Sequence, residues 1–452
     1  LRRTLICTII QPVWSHSILN IAFIMPSFAT ITGKITSGVR DYGQNVRAFS
    51  RNASLYLIST IISSSAFGVF RLLFNFYVLS LGYDQALLGN LVTTSSLTAL
   101  IAAIPMGYLA DMLGRKVSLI GGTLSTILAI TGMLLFPSPT MFVLMNILMG
   151  LGQSISGVTM GPFLMENSGE KERTYLFSFT SGLSMAASSV GNWIGGLMPT
   201  WIATLIGGSA TSTRAYRFSL AIVAITAILS IIPLVMMVMK KVRVEDRSLF
   251  APFTYFKDHP ALLGKLVLPM LVTSIGAGLV MPFMNVFFRQ VHGQSDSSIG
   301  TLFAFGSLAM GIGLLIAPPL AERFGKIQLV VITQALSIPF LALLGFAPIY
   351  WISASAYYIR VALMNMSSPV YQTFVMEKVE PSARATVASL VSMANTFGWA
   401  FSPTISGAIQ VRYGFGPAFT LTIIFYAISI TMYWGFFWRG SQKHSSGAIP
   451  TH

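Results

Sequence analysis

Two arginines interrupt stretches of sequence that are otherwise apolar. Arg71 lies within residues 55–81, and Arg360 lies within residues 349–374. A charge at the centre of a bilayer costs about 2.5–3.5 kcal/mol on insertion scales, so such residues are candidates for function. No Asp or Glu stands beside either arginine, and guanidinium groups bind carboxylate or phosphate through paired hydrogen bonds. The pattern predicts an anionic ligand; the alternative is that each arginine binds backbone carbonyls or packs helices.

Other polar residues share helical faces with the two arginines or occupy comparable apolar stretches. Asn75 is four residues from Arg71, whereas Ser367 and Tyr371 follow Arg360 by seven and eleven residues. The predicted solute-binding residues are therefore Arg71, Asn75, Asn146, Gln153, Asn285, Arg360, Ser367 and Tyr371.

The apolar stretches lack the residue types that other functions need. None of the 13 Asp and Glu and none of the five His falls inside one, and the single cysteine is Cys7. A proton antiporter that uses a buried carboxylate is therefore disfavoured. An enzyme is excluded because no nucleophile with a base is available, and neither a metal site nor a cofactor is predicted.

The composition defines the elements that must hold these residues. The chain has 452 residues, of which 54% are hydrophobic and 9% charged, with a mean hydropathy of +0.72. A soluble domain carries about 25% charged residues, and a membrane span needs about 20 apolar residues. The sequence predicts an all-α membrane protein with spans at 55–81, 85–109, 117–136, 141–165, 175–205, 218–239, 266–288, 298–320, 327–347, 349–374, 385–410 and 418–438.

The net charge of +15, from 28 Lys and Arg against 13 Asp and Glu, indicates orientation and not a nucleic-acid partner. If residues 1–54 form a cytoplasmic or interfacial extension, the basic residues outside the spans fall on the cytoplasmic side, except Arg214, Arg217, Arg289 and Arg412. Cytoplasmic loops of membrane proteins collect Lys and Arg. Both termini are therefore predicted to be cytoplasmic; a thirteenth span over residues 4–33 is the disfavoured alternative.

The two halves of the chain repeat each other at an offset of 211 residues. Gly114 corresponds to Gly325, Arg115 to Lys326, and Glu166 to Glu377. The repeat predicts two pseudo-symmetric six-helix bundles, at 55–239 and 266–438, with a central cytoplasmic loop at 240–265 and a tail at 439–452. Alternating-access transporters use such duplications and bind solute at mid-membrane between the repeats.

A charged motif joins the second and third spans. Residues 107–116 read GYLADMLGRK, and residues 318–326 of the second half read PPLAERFGK. Glycines permit a tight turn, and Asp111 and Arg115 are spaced to pair on a helix. The motif resembles the loop signature G-x-L-a-D-r-x-G-r-r/k of the major facilitator superfamily (MFS), from which Met112 departs at a position where a base is usual.

This resemblance implies a secondary transporter in which helices 1, 4, 7 and 10 line a central cavity. It places Arg71 and Arg360 on that cavity, one from each half. It also implies an inner-face network of ion pairs that holds the outward-open state, the alternative being that these charges only anchor loops and set orientation. The implied gating residues are Gly107, Asp111, Gly114, Arg115, Lys116, Glu166, Arg173, Glu322, Arg323, Gly325, Lys326, Glu377 and Arg384.

Together these features predict a monomeric transporter of the plasma membrane, in a prokaryote the inner membrane, whose partners are the lipid bilayer, a small-molecule solute and a coupling ion. The predicted solute is an organic or phosphorylated anion. Two alternatives stay open: a multidrug or metabolite efflux antiporter, which matches part of a glycine pattern at Gly182, Gly191 and Gly195, and a lysolipid flippase. The sequence leaves open the direction of transport, the coupling ion and the solute.

Overall fold

The computed structural model describes residues 49–238, 259–379 and 384–439, without the side chains of residues 170–175, 384–386, 388 and 389. These described segments form twelve helices and no strand, as predicted. Most of the predicted extension, central loop and tail lies outside them. The helices are α1 Arg51–Ser80, α2 Gln85–Leu113, α3 Arg115–Leu135, α4 Pro139–Glu166, α5 Glu170–Ile206, α6 Thr213–Met236, α7 Pro260–Gln290, α8 Asp296–Phe324, α9 Lys326–Phe346, α10 Tyr350–Lys378, α11 Arg384–Tyr413 and α12 Gly416–Trp438.

Nine of the helices in the described residues are long and apolar enough to cross a membrane. The other three, α5, α10 and α11, are more polar. Their polar side chains face a cavity between the two halves, as Ser188, Arg360 and Asn395 do. A helix that is polar on one face can span a membrane when that face is turned away from lipid.

In each half the loop within the charged motif is shorter than the sequence predicts, because a single glycine separates the helix before it from the helix after it. Gly114 stands between α2 and α3 with φ +86° and ψ 158°, and Gly325 stands between α8 and α9 with φ +91° and ψ 149°. This conformation is open almost only to glycine. Asp111, Glu322 and Arg323 are therefore helical residues and not loop residues.

The helices of the two bundles pack in the same pattern. In the first bundle α1 packs against α5 and α6, and α4 packs against α2 and α3; in the second, α7 packs against α11 and α12, and α10 packs against α8 and α9. Two helix pairs, α2 with α11 and α5 with α8, join the bundles. At these crossings a Cβ on Gly89 would lie 2.2 Å from the Pro403 carbonyl oxygen, and one on Gly300 would lie 2.5 Å from that of Asn192. The repeat at 211 residues is thus a repeat in space.

The apolar cores show where the halves join and where they separate. We call the helix ends that carry Arg115 and Lys326 the motif face, and the ends that carry Arg289 the opposite face. One core spans both halves toward the opposite face and includes Phe74 and Phe287. Toward the motif face each half has a core of its own. The halves are joined at the opposite face and part toward the motif face.

Candidate functional site

A cavity of about 940 Å³ separates the two halves from mid-bundle toward the motif face. It is lined by five of the residues predicted to bind solute, namely Arg71, Asn285, Arg360, Ser367 and Tyr371. None of the described side chains that line it is acidic. Among its described side chains, the cavity therefore holds two fixed cations and no fixed anion.

Arg360 on α10 is a buried cation without an ionic partner among the residues that the structure describes. Its side chain is 2% exposed, and its guanidinium donates to the Tyr426 hydroxyl at 3.0 Å and to the Met281 sulfur at 3.6 Å. Its Nε atom has no partner, and no Asp or Glu in the described ranges forms an ion pair with it. A buried charge without a counter-charge is strongly unfavourable.

Arg71 lies across the cavity from Arg360, on α1 of the other half. Its side chain is exposed to the cavity, and none of the described carboxylates pairs with it. Arg71, Arg360 and Tyr357 line this one cavity. The two arginines therefore face one region of the cavity from opposite halves. In transporters built from two repeats, the solute site lies between the repeats in this way.

Three of the predicted solute-binding residues do not line this cavity. The Asn75 amide donates to Asn285 Oδ1 and to the Pro282 carbonyl, both at 2.9 Å, and so joins the two halves. Asn146 is buried in α4 and donates to the Phe142 carbonyl at 2.8 Å. Gln153 lies in a smaller pocket inside the first bundle.

The opposite face is closed by an ionic cluster that sequence reasoning missed. Arg289 forms an ion pair with Asp296, donates to the Tyr216 hydroxyl at 2.8 Å and has its guanidinium carbon 3.4 Å from the centre of the Phe76 ring. The Tyr216 hydroxyl donates in turn to Asp296 at 2.8 Å. Because Phe76 and Tyr216 belong to the first half, this cluster, the opposite-face lock, holds the halves together.

Asp296 corrects an expectation from the sequence. The predicted span at 298–320 leaves Asp296 outside the helix, but it is the first residue of α8 and only 6% exposed. The available signal in the sequence was Arg289, a base seven residues before Asp296 across a short loop, which could have indicated the ion pair. The contact of Asp296 with Tyr216, 80 residues away, has no signature in the sequence.

The predicted charges of the motif face form clusters within each half. Arg115 binds Asp111 at 2.6 Å and Glu166 at 3.0 Å, and Lys326 forms an ion pair with Glu377. The pairs of Arg115 with Glu166 and of Lys326 with Glu377 are equivalent in the repeat. Each described ion pair of this face therefore stays inside one bundle, which accords with halves that are parted here.

The remaining motif residues make local contacts. Lys116 donates to the carbonyls of Val235 at 2.6 Å and Met237 at 2.7 Å, and the Arg323 guanidinium lies 5.5 Å from the centre of the Phe324 ring. The side chains of Arg173 and Arg384 lie outside the described residues. A gating role for the set stays a prediction.

Comparison with known proteins places this geometry in a family. The profile of the family described as Major Facilitator Superfamily matches residues 56–403 and 266–448. The multidrug resistance protein MdtG of Dickeya zeae (strain Ech586) is 22% identical over 388 residues, covering 83% of this chain and 91% of the relative.

Solved structures share the fold at low identity. The nucleoside transporter NupG superposes with a TM-score of 0.68 at 15% identity, over 86% of this chain and 98% of the other. A bacterial homologue of the human lysosomal transporter Spinster, in an inward-facing and unoccupied conformation, superposes with a TM-score of 0.68 at 15% identity, over 85% of this chain and 96% of the other.

Proposed function

The chain belongs to the major facilitator superfamily of multi-pass membrane transporters, and we propose that the solute it carries is a small organic or phosphorylated anion. The observation that carries this proposal is the buried guanidinium of Arg360, which has no ionic partner among the described residues and borders an acid-free cavity. Arg71 faces the same cavity from the other half. Arginine matches carboxylate and phosphate through paired hydrogen bonds.

Transport proceeds, in this proposal, by rocking of one bundle against the other around the two arginines. The charge distribution of the sequence assigns the motif face to the cytoplasm. A cavity that reaches toward that face and is closed at the other is then an inward-facing state. The protein acts as a monomer in the inner membrane of a prokaryote, with both termini in the cytoplasm.

The motif-face charges serve, in the same proposal, to close the cytoplasmic side. When the halves approach there, Asp111, Arg115, Glu322 and Arg323 are brought toward each other from opposite bundles. The pairs that now lie inside each half then exchange partners across the gap. Loss of these charges favours the inward-facing state.

Efflux of drugs is the second candidate function, supported by the likeness to the multidrug resistance protein MdtG. Many drugs are cationic or neutral and apolar. A cavity with two arginines and no described acid repels a cation, so this candidate requires a neutral or anionic substrate.

The proposal is tested by ligand-induced thermal stabilisation of the purified full-length protein. The probes are inorganic phosphate, citrate, glucose 6-phosphate, glucose and the cationic tetraphenylphosphonium ion. We expect stabilisation by one or more anions only. A charge-assisted hydrogen bond contributes about 1.5–3 kcal/mol, so Arg71→Gln and Arg360→Gln are each expected to weaken anion binding at least about tenfold.

Arg412→Gln is the matched control, because Arg412 lies on the opposite face away from the cavity. It should bind anions like the unaltered protein. Stabilisation by tetraphenylphosphonium that survives in both cavity variants would contradict the anion proposal and favour efflux of cations.

A further inference from the structure

A second cavity, of about 360 Å³, lies inside the first bundle among α1, α3, α4, α5 and α6. Its size falls within the range of small-molecule sites. It adjoins the central cavity, because Ser64 and Ser184, whose hydroxyl oxygens are 2.8 Å apart, line both. Every described side chain that lines it is uncharged. We call it the hydroxyl pocket.

Four of the hydroxyls that line this pocket are oriented as acceptors. Thr60, Thr123 and Thr126 each donate their proton to the backbone carbonyl four residues earlier, and Ser59 donates to a carbonyl of α6. A hydroxyl has one proton and two lone pairs, so each of these oxygens keeps a lone pair for another partner. An uncharged wall rich in acceptors favours a ligand that brings donors and disfavours a carboxylate or phosphate.

The pocket and the arginines lie within reach of one molecule. Ser64 precedes Arg71 by seven residues on α1, so the two share a helical face and are about 10 Å apart along the helix axis. Gln153, which also lines the pocket, offers an amide that both donates and accepts. The arginines thus form a cationic region and the hydroxyl pocket forms a neutral region that offers hydrogen bonds. Each region suits a different part of one ligand.

We propose that the cargo is a polyhydroxylated anion, such as a sugar phosphate or a sugar acid. Its anionic group lies between Arg71 and Arg360, and its hydroxyl groups donate to the acceptor oxygens of the hydroxyl pocket. This inference rests on the proposed function and narrows it from anions in general to anions with a hydroxylated body.

The experiment compares each hydroxylated anion with an alkyl anion that has the same number of carbons and the same charged group. One pair is glucose 6-phosphate and hexyl phosphate, and the other is gluconate and hexanoate; sorbitol is the uncharged probe. Affinities are measured by thermal stabilisation of the full-length protein. We expect the hydroxylated member of at least one pair to bind about tenfold or more tightly than its alkyl partner.

The double variant Thr123→Val/Thr126→Val removes two pocket hydroxyls at nearly constant shape and is expected to abolish this preference without loss of alkyl-anion binding. Thr226→Val is its matched control. Thr226 makes the same hydrogen bond to the carbonyl four residues earlier but does not line either cavity, so the preference should persist in it.

The outcomes separate the inference from the proposed function. If the alkyl anions bind as tightly as the hydroxylated ones, or if the double variant keeps the preference, the hydroxyl pocket is not a cargo site, whereas the anion proposal stands. If sorbitol binds as tightly as glucose 6-phosphate and gluconate, and the binding of all three is unchanged in Arg360→Gln, the anion proposal fails while the pocket remains a polyol site. If none of the probes binds, both fail.

Discussion

At the scale of single residues, Arg360 differs from Arg115 and Arg289 in its binding partners. Arg115 and Arg289 are bound by carboxylates, and each therefore stabilises the conformation in which its partner is present. Arg360 is as buried as a core residue, yet it is held only by a hydroxyl and a thioether among the described side chains. The packing around Arg360 supplies no described counter-charge for its guanidinium, and this is the basis of the proposal that an anion binds there.

Replacement of Arg360 by methionine is expected to stabilise the empty protein while removing anion binding. Exchange of uncompensated buried charge for an apolar side chain is often stabilising, by about 1–4 kcal/mol. The measurement is the midpoint of thermal unfolding in detergent, with and without the anion that stabilises the unaltered protein. A lower midpoint would instead identify Arg360 as a helix-packing residue.

Arg115→Met provides the contrast for that measurement. It removes a cation that is bound to two carboxylates, and breaking such a pair leaves the acids without a partner. We expect the midpoint to fall, by the equivalent of about 1–3 kcal/mol, since these groups are only partly buried.

At the scale of helices, the glycine between α2 and α3 decides how the motif is presented. Its conformation lets Gly114 alone connect α2 to α3. The Gly114 N–H still bonds to the Ala110 carbonyl at 3.1 Å. Arg115 is thereby placed where it meets Asp111 on one helix and Glu166 on another. The same geometry at Gly325 places Lys326 beside Glu377.

Gly114→Ala is expected to lower stability by about 1–3 kcal/mol through backbone strain alone. An added Cβ has no neighbour within 4 Å, so a steric clash contributes nothing. Gly121→Ala is the control: Gly121 is helical and also has open space around it, and alanine there should raise stability by about 0.5–1 kcal/mol. Equal thermal midpoints for the two variants would contradict the argument.

At the scale of the whole molecule, two sets of charges oppose each other across the membrane. The opposite-face lock joins the bundles in the described conformation, whereas the motif-face pairs lie within each bundle. In the gating role proposed above, the transporter moves between states when one set gives way to the other. The balance between the two sets then determines how often each side is open.

Variants of the two sets are expected to shift the conformational equilibrium in opposite directions. Asp296→Asn weakens the lock, and loss of a charged hydrogen bond of about 1.5–3 kcal/mol changes a population ratio about tenfold or more. Asp111→Asn combined with Glu322→Gln should instead favour the inward-facing state. The measurement is the distance between spin labels at Ser209 and Ile349, both exposed on the opposite face of different halves, in a Cys7→Ser background.

We expect the label distance to lengthen in Asp296→Asn and to shorten or stay at its inward-facing value in the double variant. Asp84→Asn is the control, because Asp84 lies on the opposite face but only caps α2 within its own half, through the Leu87 N–H. Unchanged distances in Asp296→Asn would show that the lock does not hold the two halves together.

The sequence alone determined the fold and its duplication, because both are written in local chemistry. Twelve apolar runs require twelve buried or lipid-facing helices, and the motif glycines and charges recur at a fixed offset. The sequence also identified the two arginines of the cavity, because a charged residue within a membrane span is rare.

Only the tertiary structure decided which polar residues meet. The same helical spacing that finds cavity-lining residues also selects Asn75, Asn146 and Gln153. Helix rotation and packing instead place Asn75 between the halves, Asn146 against a carbonyl of its own helix, and Gln153 in the hydroxyl pocket. The hydrogen bonds of Tyr216 with Asp296 and Arg289, and that of Arg360 with Tyr426, join residues 66 or more positions apart. Spacing along one helix specifies a face, whereas the partner of that face depends on how separate helices pack.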